Sequence, residues 1–118
     1  MTDRIIKAIG ANLPGVAISR TGVVRRGEAV TVRTRSLASG RFRRSERVTL
    51  GFYAPSFARA REMYLAVRRS LVSDGNEGRL GEGNDILIVK EEDAPGDAAF
   101  LPKCALYRLS ASFTVTGR

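Results

Sequence analysis

From Val48 to Ala54 the chain alternates, with Val48, Leu50, Phe52 and Ala54 on one side and Thr49, Gly51 and Tyr53 on the other. That two-residue period predicts a central strand with one buried face. After Pro55 the period lengthens, and Phe57, Ala60, Tyr64, Val67 and Leu71 recur at steps of three and four. They stripe one side of a predicted amphipathic helix over 56–72, with Ser56 as its N-cap and Asp74-Gly75 closing it. The other side carries Arg59, Arg61, Glu62, Arg68 and Arg69. At about 1.5 Å per residue this is a rod of about 25 Å, long enough to cover a small sheet. The expected core sets Phe57, Tyr64, Val67 and Leu71 against Leu50, Phe52, Leu109 and Phe113.

The remaining pattern fills in around this pair. Ile5, Ile6, Ile9 and Leu13 share one face of a predicted helix over 3–12, capped by Thr2-Asp3 and stopped by Pro14-Gly15. Residues 16–19 read as a short edge strand and 29–35 as a strand with Arg33 and Arg35 facing outward. LASGRFRRSE, 37–46, reads as a long hairpin loop, DGNEGRLGEGND as a glycine-rich connection, 86–89 as a strand and EEDAPGD as an acidic loop. The closing strand, 104–116, alternates Ala105, Tyr107, Leu109, Ala111, Phe113 and Val115 with polar partners. The expected fold is a single α+β domain over 1–118, a mostly antiparallel sheet of four to five strands with both helices packed on one face. The opposite face collects Thr31, Arg33, Arg35, Thr49, Ser110, Ser112 and Thr114, hydroxyl-rich and basic.

Composition narrows the function classes. With 43% hydrophobic and 27% charged residues the chain has the makeup of a folded domain rather than a disordered one. No apolar run approaches the ~18 residues of a membrane span, and no secretory block opens the chain, so a soluble protein made in the cytoplasm is expected. One cysteine, Cys104, and no histidine leave neither a disulfide framework nor a plausible zinc site. GRLGEG, 78–83, lacks the Lys-Ser/Thr ending of a phosphate loop, and no nucleophile has an activating neighbour. A protein without catalytic activity or cofactor is the expectation. Net charge is +8, unevenly spread: Arg20 to Arg47 holds nine arginines against Glu28 and Glu46, whereas Asp74 to Asp97 holds eight carboxylates against Arg79 and Lys90. Such polarity suits head-to-tail contacts between copies. Arg33, Arg35, Arg41, Arg43 and Arg44, the last three around Phe42, are the basic candidates for a surface facing a neighbour or DNA. Glu91, Glu92 and Asp93 are the acidic candidates.

The order of elements and the wording of two segments resemble the tail terminator proteins of long-tailed bacteriophages, which overlap the small prophage proteins called minor tail or minor capsid proteins. The similar features are the N-terminal helix ending near Leu13-Pro14, the strand RVTLGFYA entering the helix PSFARAREMYLAVRRSLV, and the closing strand ALYRLSASFTVTGR. The resemblance implies a non-enzymatic virion subunit that forms a ring, typically a hexamer, on the head-proximal end of the tail tube. Its partners are then other copies of itself, the major tail tube protein, the head-tail connector or stopper protein and genomic DNA passing through the lumen, and its place is the neck of the virion after assembly in the host cytoplasm. The other readings are another head-to-tail joining protein of the neck, and a small basic nucleic-acid-binding domain outside phage biology.

Overall fold

The computed structural model describes residues 2–20, 27–40, 43–73, 75–81, 86–96 and 98–117. Its elements follow as α1 (Thr2–Asn12), β1 (Ala17–Ser19), β2 (Ala29–Ser39), β3 (Arg44–Ala54), α2 (Phe57–Leu71), β4 (Glu77–Leu80), β5 (Leu87–Asp93), β6 (Ala99–Leu101) and β7 (Leu106–Gly117). The strands form one seven-stranded sheet in the order β1-β2-β3-β7-β5-β4, and β6 pairs with the beginning of β7. All pairings are antiparallel except β1 with β2. The α+β class and antiparallel character agree with the sequence reading, but the sheet has more strands than the expected four to five. Two of the extra strands lie where glycines or shortness erase the alternation. One is β4, in the glycine-rich connection, and the other is β6.

The apolar residues of β2, β3, β5 and β7 share one face because their registers keep parity: Val48 opposes Phe113, Leu50 opposes Ala111, Phe52 opposes Leu109 and Val89 opposes Val115. Ile5, Ile9 and Leu13 of the N-terminal segment join them in a single core with Ala60, Met63, Tyr64, Val67 and Leu71 of α2. Ser56 caps α2 as expected, its side chain accepting from the Arg59 amide at 3.2 Å. The helix ends earlier than Asp74-Gly75: Val72 is already extended and its amide closes on the Arg68 carbonyl at 2.8 Å. Directly beneath that end runs Gly78 of β4, where an added Cβ would fall 2.0 Å from the Leu71 carbonyl oxygen. Only glycine lets the strand pass so close.

Two expectations are corrected. Phe57 is 42% exposed rather than in the core. It stands in a row with Arg61 and Leu65, four residues apart along α2, and that row is rotated away from the sheet. Met63, fully buried, belongs to the core face that the sequence reading gave to Phe57. The predicted 37–46 loop is mostly strand: β2 runs on to Ser39, β3 starts at Arg44, and the Gly40 amide closes the turn on the Arg43 carbonyl at 2.8 Å. The result is an arm, exposed at every residue from Arg33 to Gly40, in a molecule measuring 45 Å by 25 Å by 24 Å.

Leu71→Ala opens a void under the helix end, and we expect a loss of about 2 to 5 kcal/mol in chemical denaturation. Phe57→Ala, by contrast, should stay within about 1 kcal/mol of the parent, since the ring already faces solvent. Equal losses from the two variants would mean that the helix is seated on its other face.

Candidate functional site

Three surface features could carry a role without chemistry: the arm, the acidic segment after β5, and the polar face of the sheet. β5 continues the alternation of Leu87 and Val89 into Glu91, which is opposite Phe113 on the helix side of the sheet. Glu91 is therefore only 8% exposed and is not part of a solvated acidic run. This corrects its assignment as an interface residue. Its carboxylate receives the Tyr64 hydroxyl on one oxygen and the Arg68 Nε, at 3.1 Å, on the other. Tyr64 and Arg68 are four residues apart and so share one helix face. Arg68 also donates to the Gly75 carbonyl at 2.9 Å, and Tyr64 meets Phe52 edge-on with ring centroids 5.8 Å apart.

Burial and then the Glu91 hydrogen bond push the Tyr64 phenol well above its ordinary value, while the same carboxylate raises Arg68. At the other end of α2, Arg59 grips Glu28 with two bonds of 2.7 and 3.0 Å and touches Glu62 at 2.7 Å. That hydrogen bonding holds the Glu28 carboxyl below its usual value and ties the helix start to the residue preceding β2.

Glu92 and Asp93 remain exposed, past an irregularity in the β5–β7 register between Glu91 and Asp93. The chain then turns through Ala94 and Pro95 to form one wall of a groove of about 130 Å³, whose other wall is Phe57, Tyr64 and Leu65 of α2. Phe57 and Leu65 are both among the exposed large apolar residues, as is Leu37, which is bulged out of the β2–β3 register in the arm. Along β2, the outer edge meets β1 only at Ala29, Val30 and Thr31. From Val32 to Ser39 no strand among the described residues pairs with it.

The five basic candidates do not lie together. Arg33 and Arg35 are on the face away from the helices, Arg44 shares the helix-side parity of Glu46 and pairs with it at 3.6 Å, and Arg43 is exposed at the turn. Arg41 lies outside the described residues. On the open face, the register sets Arg35, Arg47, Thr114, Lys90 and Glu77 in one row across five strands, and Arg33, Thr49, Ser112 and Asp93 in the next. Arg47, Lys90 and Arg108 were missing from the sequence-derived set. Their signal was parity: Arg47 matches Thr49, and Arg108 matches Ser110 and Ser112.

Among the described residues, no group of three cysteine, aspartate or glutamate side chains could hold a metal, and no helix is long and apolar enough to cross a membrane. No family model and no curated protein matches this chain.

The Tyr64 phenol gives a pH-dependent check. Its value is higher folded than unfolded, so its contribution is complete below the ordinary phenol value of 10.0 and is lost as the pH rises beyond it. Tyr64→Phe should cost about 1 to 3 kcal/mol at pH near 8. In urea titrations the gap between parent and variant should narrow as the pH is taken above that value; a constant gap would place the hydroxyl in water.

Proposed function

We propose that this chain is a structural ring subunit of the tail-terminator kind, which caps the head-proximal end of a phage tail tube and offers the surface for head joining. The observation that carries this reading is the arm: a strand segment exposed on both faces, with one backbone edge that no strand among the described residues pairs, protruding from an otherwise packed sheet. An ordered edge of that sort is a template for pairing with another chain. The arm is basic and bears Leu37, whereas the far side of the subunit bears Glu92, Asp93 and the Phe57–Leu65 groove. A patch and a different complementary patch on one subunit make head-to-tail contacts, and these close into rings when the rotation allows. Exposed ion pairs contribute only about 0 to 1 kcal/mol each, so charge sets orientation and assembly rate while apolar contacts hold the ring. The partners in this reading are further copies, the tube protein and the head connector.

A second reading, a small basic nucleic-acid-binding domain, is favoured by the arginine rows of the open face. Mass in solution separates the two.

Analytical ultracentrifugation and negative-stain imaging should find one closed species of defined copy number. Glu92→Lys with Asp93→Lys should yield folded subunits that fail to assemble at low salt, and mixing them with an Arg43→Glu, Arg44→Glu variant should partly restore rings. Glu91 is left untouched in this design, because a lysine there would strand a charge beneath α2. A parent protein that stays monomeric at all concentrations and salts tested would sink the ring reading.

A further inference from the structure

On the open face, Gly51 of β3 lies between Thr31 of β2 and Ser110 of β7. A depression of about 100 Å³ opens there, lined by Gly51 together with Thr31, Arg33, Thr49, Tyr53, Arg108 and Ser110. A Cβ on Gly51 would sit 2.5 Å from the Thr31 hydroxyl oxygen and 3.1 Å from Cε1 of Tyr53, so that hydroxyl and that ring edge close over the glycine. Thr31 is only 6% exposed, yet it lines the depression.

The two arginines flank this point symmetrically. Arg33 is opposite Thr49, two residues before Gly51 along β3, and Arg108 is opposite Tyr53, two residues after it, on the other neighbouring strand. With strands about 4.8 Å apart and about 3.4 Å per residue, each arginine Cα is about 8 Å from Gly51, within the reach of an extended arginine. Neither takes part in an ion pair among the described residues. Asp93, the nearest acid in the Arg33 row, is separated from Thr49 by Ser112. Two arginines lining one depression from opposite flanks, with the Thr31, Thr49 and Ser110 hydroxyls in the same lining, make a donor set suited to a tetrahedral oxyanion.

We infer that this depression is a phosphate site, and that its occupant is a backbone phosphate of a nucleic acid. Beyond the Arg33 row, Arg35 and Arg47 continue the positive charge along the face, Lys90 of the same row being opposed by Glu77, so successive phosphates of a strand are matched where a single free ion would use the depression alone. No lining group addresses a base edge in a groove beyond these charges and hydroxyls, so binding is independent of sequence. The site belongs to one subunit, and the inference holds for the ring subunit and for the monomeric binder alike.

The test combines amide NMR titration with inorganic phosphate and fluorescence anisotropy with a short DNA duplex at several salt concentrations. We expect phosphate to shift the Thr31, Gly51 and Ser110 amides saturably, well beyond chloride at equal ionic strength. Arg33→Gln and Arg108→Gln should each weaken duplex binding several-fold and lower the slope of log affinity against log salt by about 1. Both side chains are exposed, so melting temperatures should not move, and Arg69→Gln on α2 is the equal-charge control that should leave affinity unchanged. Phosphate shifts no larger than those from chloride would overturn the site. Saturable phosphate binding with duplex affinity unaffected by either arginine variant would overturn the nucleic-acid occupant, as would a loss from Arg69→Gln equal to theirs.

Discussion

The Glu91 carboxylate fixes how α2 lies on the sheet. Apolar burial drives the helix down but is non-directional, and a stripe of Ala60, Met63, Val67 and Leu71 could slide or roll at modest cost. Glu91 removes that freedom, since its two oxygens are taken by Tyr64 and Arg68, one turn apart. A buried ion pair is weak grounds for net stability, because desolvation offsets much of the attraction. Its contribution here is to specify position: with Arg68 also bound to the Gly75 carbonyl, the helix end, the following loop and β5 are set together. The Gly78 crossing beneath the Leu71 carbonyl goes with that placement, because the helix end lies so close over β4 that no side chain fits between them.

With the helices committed to one face, the polar side chains of the central strands are left mainly to the other face and to the arm. Antiparallel registers without slips through the centre of β3 and β7 turn sequence parity into spatial rows, so arginines distant along the chain become neighbours. Cross-strand hydroxyl pairs, Thr49 with Ser112 within the Arg33 row and Ser45 with Thr116 beyond the Arg35 row, add to the polar surface. The face is therefore mostly polar, with Ile88 of β5 an exposed apolar exception.

The parts legible in the sequence are those where one face is buried and the other is wet. Residues 48–54, 56–72 and the closing strand announced themselves by period, and the polar set Thr31, Arg33, Thr49, Ser110 and Ser112 followed from parity alone. The arm was hidden because a strand that buries neither face has no two-residue signal; 37–46 looks like a loop by composition and is held as strand by its neighbours. Glu91 was misread because three adjacent acids suggest a solvated run, although Leu87 and Val89 at the same parity already pointed it inward. The depression at Gly51 could not be read from the chain, since it needs Thr31, Ser110 and two arginines brought together from three strands.

The edge of β2 from Val32 to Ser39, which no strand among the described residues pairs, also bears on solubility. Two copies laid edge to edge in antiparallel register about Thr34 would set Arg33 directly against Arg35 twice over, and like charges facing across strands are destabilising. The same arginines that make the arm basic thus guard it against the symmetric pairing that would lead to sheet aggregation, while leaving it open to a strand or loop of different charge. Because that protection is electrostatic and exposed, it weakens as ionic strength shortens the screening length from about 10 Å at 0.1 M to about 3 Å at 1 M. Concentrated salt, which ordinarily favours folded proteins, thus weakens the guard against this one edge-to-edge pairing.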